Sequence, residues 1–356
     1  MTGPPGPHEV EIIDGSLDGS IRHAVETLRQ GGLVAFPTET VYGLGADAGN
    51  AEAVAKVFAV KGRPSGHPLI VHLANADQLG AWAVDVPPAA TRLADAFWPG
   101  PLTMVLRRSR RVADAVTGGR ATVALRVPSH SVAHELLSAF GGGIAAPSAN
   151  RFGRVSPTTA GHVRADLGHD IGVILDGGPS VVGVESTIID LTGDRPDVLR
   201  LGGVTVDALA DVLGVPRAAL DAGWSAAPGA TTAAPGTLAA HYSPAAEVRV
   251  VDDATLLAAE VRRIGPAAVG RRIGVLASDA IAGSVLETLP IELIELEPAG
   301  DADHFASVLY ARLRQADRLG FDTLFVLPPA GDGIAAAVRD RLRRAAAGSR
   351  RIASPT

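Results

Sequence analysis

Cysteine is absent from the 356-residue chain, which excludes disulfides, thiolate nucleophiles and zinc or iron–sulfur centres held by cysteine. Aromatic residues are scarce at 4 % while apolar residues make up 47 %, so the cores are expected to consist of small, closely packed aliphatic side chains. No segment reaches the ~18 uninterrupted apolar residues of a membrane span. The opening MTGPPGPHEVEIID has no basic region followed by a long apolar run, and a soluble, cytoplasmic protein is expected. A formal charge of −6 argues against a surface that coats nucleic acid. The local basic stretch Arg107, Arg108, Arg110 and Arg111 reads as a solvated turn after a strand.

Lysine is the other shortage. Of 32 basic residues only Lys56 and Lys61 are lysine, and both follow closely on the segment PTETVYGLG. Against so strong a preference for arginine, a retained lysine suggests a place that needs a compact ammonium and not a planar fork. Lys56 also fits a helical pair with Glu52, four residues before it, which leaves Lys61 as the stronger lead.

The common nucleotide fingerprints are missing as well. There is no GxxxxGK(S/T) phosphate loop, and GLGADAG misses the GxGxxG spacing. A GxSxG elbow and an HExxH zinc motif are also absent. Any nucleotide site must be of another kind.

The first two hundred residues alternate helical and extended patterns. Helices are expected near 19–31, 51–60, 89–97, 130–139 and 158–167, and strands at LVAFPT, PLIVHL, LTMVLR, TVALRVP, GIAAPSA, IGVILDGG and STIIDLT. This is a mixed α/β domain over residues 14–205. The pattern weakens from 206 to 246, where an Ala/Pro/Gly/Thr-rich stretch reads as a linker. Beyond it, strands at AEVRVVD, RIGVLAS, IELIELE and DTLFVLP alternate with helices, which predicts a smaller Rossmann-like, parallel α/β domain over 247–350.

The segment from Lys61 to His72, KGRPSGHPLIVH, offers a phosphate site. In an extended chain Lys61 and Arg63 project to one side, and two cations aimed together form a polyphosphate clamp. His67 and His72 are candidates for bonding a phosphate or carboxylate, or are structural. Metal ligation by this pair is disfavoured because no carboxylate stands beside them. Hydroxyl-bearing residues follow apolar strands at Thr38, Thr40, Ser148, Asn150, Ser156, Ser186 and Thr187, where α/β proteins place ligand loops. Arg126 and Arg200 sit beside apolar strands, and each needs an anionic partner from a ligand or a protein carboxylate.

PTETVYGLG, KGRP followed by PLIVH, WPGPLT, ALRVP, APSAN, SPTTA, VESTIID and LRLGG together resemble, in order and spacing, the threonylcarbamoyl-AMP synthase or YrdC-like family. PGTLAAHYSP resembles the linker of its longer, two-domain members, and GIAAAVRDRLRRAA the end of their second domain. The resemblance implies a YrdC-like twisted mixed sheet with a large concave cavity, followed by the Rossmann-like domain. It implies an enzyme that joins L-threonine, bicarbonate and ATP into threonylcarbamoyl-adenylate, with Mg²⁺ carried mainly by the ATP phosphates and no protein metal site. The product would feed tRNA threonylcarbamoyl modification through a downstream transfer machinery; stable tRNA binding is left open. Lys61 and Arg63 would act on the phosphates. His67, Thr122, Ser148, Ser156, Arg200 and Tyr242 would contact the nucleotide, with Tyr242 of HYSP reaching it from a linker folded as a lid. Thr40, His72, Arg126, Ala146 and Ser186 would surround threonine. The rival readings are an RNA-binding protein without ATP chemistry and a carbamoyl-adenylate enzyme like the related domain of hydrogenase maturation proteins.

Overall fold

The computed structural model describes residues 10–220, 235–236, 240–265, 270–279, 281, 289 and 293–352. They divide into two units: one runs to Thr237, and the other takes Leu238 onward together with Gly153–Val155. Each is described by itself.

The first unit begins with strand β1 (Glu11–Asp14) and helix α1 (Asp18–Arg29). Ile21, Ala24, Val25 and Leu28 recur at helical spacing along α1 and are buried, which ties the helix to the sheet. Strands β2 (Val34–Phe36) and β3 (Gly43–Asp47) follow, then α2 (Ala51–Lys61), β4 (Ile70–His72), α3 (Leu79–Trp82) and α4 (Pro88–Phe97). Next come β5 (Leu102–Arg107), α5 (Asp114–Thr117), β6 (Thr122–Arg126), α6 (Ser131–Phe140), β7 (Ile144–Ala145) and α7 (Ala160–Leu167). Strands β8 (Val173–Asp176), β9 (Thr187–Asp190) and β10 (Asp197–Arg200) and helix α8 (Val206–Leu213) complete it.

These strands form one ten-stranded sheet in the order β1-β8-β2-β3-β7-β4-β6-β5-β9-β10. It is mixed: β4 runs parallel to β6 and antiparallel to β7, and β5 runs antiparallel to β6 and parallel to β9. Helices α1 and α6 cover the part built on β2, β7 and β8, where Leu28, Leu136 and Leu137 pack with Phe36, Ile144 and Leu175. The glycines of β3 belong to this packing. A Cβ on Gly45 would stand 2.8 Å from Ile144 and 2.9 Å from Phe36, closer than packed carbons approach.

Three strands escape the periodic reading. β1 carries acidic residues at both ends, β3 has two glycines among its five residues GLGAD, and β10 mixes charged with apolar residues. Their pairing supplies the stability their composition does not advertise. The linker expected from 206 also needs correction, because residues 206–213 form α8, capped by the Thr205 hydroxyl and burying Val206, Leu209, Ala210 and Leu213.

The second unit contains β11 (Glu247–Val250), α9 (Ala254–Ile264), β12 (Ile273–Ala277), β13 (Ile294–Glu295), α10 (Ala302–Arg318), β14 (Thr323–Leu327) and α11 (Ile334–Ile352). Its strands form a four-stranded, all-parallel sheet in the order β11-β14-β12-β13, as a doubly wound α/β unit requires. Leu257, Val261, Val275 and Phe325 lie in its core.

Candidate active site

Lys61 is the last residue of α2, a helix started by the Asn50 side chain and stopped by Gly62 at φ +65. The extended arrangement expected for Lys61 and Arg63 is therefore replaced by a helix end and a left-handed glycine, which sends the two side chains to separate anchors. The Lys61 ammonium is buried and donates to the carbonyl oxygens of Ser148 and Asn150, each at 2.5 Å. Burial, reinforced by the nearby Arg63, holds its pKa well below the ordinary lysine value. Arg63 donates to the Pro68 carbonyl at 3.1 Å and lies over the Phe152 ring, which His67 also meets edge-on. Burial, then the charges of Arg63 and Arg120, lower the pKa of His67. Lys56 does not pair with Glu52; its ammonium reaches back to the Gly31 carbonyl at 2.7 Å, just beyond the end of α1.

A row of buried polar side chains crosses one face of the sheet. His72 on β4 is in register with Arg126 on β6, so the two share a face. Thr103 on β5 continues the row, one step beyond the Met104–Leu125 pair. Ile188 on β9 is in register with both Thr103 and Arg200, which places Ser186, two residues earlier, beside them. The contacts agree: the Thr103 and Ser186 hydroxyls are 2.7 Å apart, and Arg200 donates to the Ser186 hydroxyl and carbonyl at 3.0 and 2.9 Å. Arg200 also donates to the Pro235 carbonyl at 2.7 Å, so backbone oxygens are among its partners. All five side chains are buried.

The partner of Arg126 is Glu39, whose carboxylate lies 2.8 Å from the guanidinium, both groups being buried. Removing one member of such a pair costs about 3–5 kcal/mol, because the other charge is left buried alone. The PTET turn that carries Glu39 is fixed by Thr38, whose hydroxyl donates to the Val41 carbonyl at 2.6 Å and lies 2.8 Å from that of Thr40. Ser180 donates to the Thr38 carbonyl, and the Val182 amide to the Glu39 carbonyl. Burial, then the charge of Arg126, push the pKa of His72 down to about 3, so its imidazole is neutral near pH 7.

The structure thus joins Lys61 to Ser148, and His72, Arg126 and Ser186 to one face; Thr40 lies in the PTET turn against Thr38, and the Ala146 amide is bonded to the Ile70 carbonyl on β4. Ser156 donates to the buried Glu185 carboxylate at 2.8 Å. Thr122 begins β6 opposite Arg107, roughly 13 Å along the strand from Arg126. Tyr242 lies in the second unit, buried at φ +62, stacked on Tyr310 and beneath the Arg341 guanidinium. Residues 221–234 and 237–239 of the expected lid lie outside the described residues. Glu39, Thr103 and Glu185 were not singled out in the sequence. Each sits inside a quoted motif, PTET, WPGPLT or VEST; only Thr103, a polar residue among the apolar residues of β5, carried a signal of its own.

Comparison with known proteins agrees with this architecture. The Sua5/YciO/YrdC family model, described as telomere recombination, matches residues 26–202, and the threonylcarbamoyl-AMP synthase C-terminal domain matches residues 204–347. Threonylcarbamoyl-AMP synthase of Pyrococcus abyssi is 41 % identical over 91 % of this chain and 93 % of its own length. That of Bacillus subtilis is 38 % identical over 95 % and 97 %. The crystal structure of Pyrococcus abyssi Sua5 with L-threonine superimposes with a TM-score of 0.84 at 39 % identity, covering 95 % of this chain and 96 % of that one. With both units matched, the mixed sheet and the parallel second unit are those of a known enzyme family: the chain belongs to the threonylcarbamoyl-AMP synthases, in their two-domain Sua5 form.

Proposed function

We propose that this protein is an L-threonylcarbamoyladenylate synthase, a nucleotidyltransferase that makes threonylcarbamoyl-AMP and pyrophosphate from L-threonine, bicarbonate and ATP. The buried polar side chains His72, Arg126 and Ser186 carry the reading, because they offer hydrogen-bonding groups for an amino acid in a family in which one member has been solved with L-threonine. Arg126 supplies a fork for the threonine carboxylate. The neutral His72 ring, with Thr40, Ser186 and the Ala146 backbone, completes the wall around the side chain.

The reaction needs no protein nucleophile. The threonine amine captures the one-carbon unit as a carbamate, whose oxygen attacks the α-phosphate while pyrophosphate leaves. Catalysis rests on positioning and charge stabilisation. Lys61 and Arg63, with His67 beside them, line the phosphate end. Ser148, Ser156, Thr122 and Arg200 are the proposed nucleotide contacts. Tyr242 is a further proposed nucleotide contact. Among the described residues no cluster of three His, Asp or Glu could hold a metal ion. A Mg²⁺ would arrive on the ATP phosphates, which would supply most of its ligands. We further assign residues 14–205 as the catalytic domain and 247–350 as the Rossmann-like domain. The product passes in the cytoplasm to a tRNA-modifying transferase; among the described residues no helix is long and apolar enough to cross a membrane.

The test is pyrophosphate release by purified protein with ATP, L-threonine and bicarbonate, leaving out one at a time. Release that needs all three is expected. Release without threonine, or none with all three, overturns the assignment.

A further inference from the structure

Glu39 is the most exacting residue in the polar row. It is 4 % exposed, and neither carboxylate oxygen accepts a hydrogen bond from any described residue. Arg126 Nη2 lies 2.8 Å from Oε1 without the alignment of a hydrogen bond, and Nη2 is itself without a hydrogen-bond partner. His72, in register with Arg126, has the Ile144 and Ile70 backbone beside its imidazole. Two paired side chains, Glu39 and Arg126, therefore present buried polar atoms with unfilled hydrogen-bonding capacity to one place. Buried polar groups are ordinarily satisfied, and a cluster of exceptions marks a site completed by a ligand.

The charges define that ligand. Arg126 and Glu39 cancel, and His72 adds no charge near neutral pH, so the buried patch accepts a ligand of zero net charge at least electrostatic cost. An α-amino-acid zwitterion meets this condition, with its ammonium and carboxylate groups on one carbon. We propose that Glu39 is the residue that recognises the α-ammonium group of the amino-acid substrate, so that the Arg126–Glu39 pair reads the carboxylate and ammonium together. The inference rests on the threonine site proposed above and adds to it the discrimination of amino acids from hydroxy acids and other plain carboxylates. The pair is preformed: the PTET turn holds Glu39 through the Thr38 and Val182 bonds, and β6 holds Arg126. The ligand therefore inserts into an existing electrostatic template and need not assemble one.

The test compares L-threonine with (R)-3-hydroxybutyrate, which keeps the carboxylate, hydroxyl and methyl groups and lacks only the amine. Binding to the full chain is measured by calorimetry for the wild type, Glu39→Gln and Arg126→Leu. Wild type is expected to prefer threonine by at least about 100-fold, since sites built to bond a polar group reject analogues that lack it. Glu39→Gln should weaken threonine and spare the hydroxy acid, shrinking the preference below about tenfold. Arg126→Leu should weaken both ligands. An unchanged preference in Glu39→Gln, or equal losses of both ligands, overturns the proposal and leaves Glu39 as a support for Arg126. Should Glu39→Gln fail to fold, the wild type decides: equal affinity for the two ligands rules out ammonium recognition. Failure of the wild type to bind threonine at all removes the substrate reading and this inference with it.

Discussion

Lys61 and Ser148, 87 residues apart in the chain, are joined by a 2.5 Å hydrogen bond from the ammonium to the backbone carbonyl. The bond docks the end of α2 on the APSAN loop and keeps a positive charge in a buried place. A compact ammonium fits between two carbonyl oxygens, where a planar guanidinium would not. The scarcity of lysine in this chain acquires a physical reason at this position.

Replacing Lys61 therefore tests charge and shape together. Its pKa is held well below the ordinary lysine value, first by burial and then by Arg63. The charge that docks α2 is therefore expected to be lost at a lower pH than an ordinary lysine allows, read as an alkaline limb in the pH profile of kcat/KM. Lys61→Arg should remove that limb and lower kcat/KM by about 100-fold, the loss typical of one misplaced charge-stabilising donor. An alkaline limb unchanged in Lys61→Arg would contradict this account.

His72 makes the first unit sensitive to acid. The unfolded chain binds a proton near pH 6.5, whereas the folded imidazole resists it down to about 3. Its contribution is complete above pH 6.5 and is lost as pH falls below it, by about 1.4 kcal/mol per pH unit. Urea melts at a series of acidic pH values should show a shallower decline for His72→Asn than for the wild type. Parallel declines would assign the acid sensitivity to other groups.

Gly202 holds LRLGG against the VEST loop. A Cβ there would lie 2.2 Å from the Glu185 carbonyl oxygen and 2.4 Å from the Ser186 carbonyl carbon, both backbone atoms with little freedom to move. Gly202→Ala should cost about 2 kcal/mol and weaken threonine binding by displacing Arg200 from Ser186. Gly19, in α1 with nothing within 4 Å of a built Cβ, is the control: Gly19→Ala should be neutral or slightly stabilising. Equal melting curves for the two variants would refute the packing argument.

Tyr242 is a core residue of the second unit, 1 % exposed and stacked on Tyr310 at 5.6 Å. Tyr242→Ala is expected to destabilise that unit by about 3 kcal/mol and to speed hydrogen exchange in α10 and α11. Tyr242→Phe keeps the stack and should leave exchange nearly unchanged. Activity loss in Tyr242→Phe would then report a role of the hydroxyl in catalysis, separate from folding.

Much of the fold was legible because its elements are strongly patterned. LTMVLR is strand β5 over the expected residues, and the helix expected at 51–60 is α2, with Asn50 as its cap. Strands β1, β3 and β10 were not legible: β1 depends on β8 far along the chain, and β3 and β10 carry a glycine-rich and a charged sequence that reads as strand only once each is paired with its neighbour. The site was legible as a set of motifs, though not as an arrangement. Nothing in PTET states that Glu39 will face Arg126, and nothing in HYSP states that Tyr242 will stack on Tyr310.

The sequence by itself determined the two-part α/β organisation, the exclusion of cysteine chemistry, the resemblance to one enzyme family and the weight placed on Lys61 and Arg126. These follow from composition, periodicity and ordered motifs, which are local properties of the chain. Only the tertiary structure decided that His72, Arg126, Thr103, Ser186 and Arg200 form a single row, and that Glu39 stands buried beside it. Strand order and register set which side chains become neighbours, and burial sets which charges demand a partner. Both are properties of the assembled sheet.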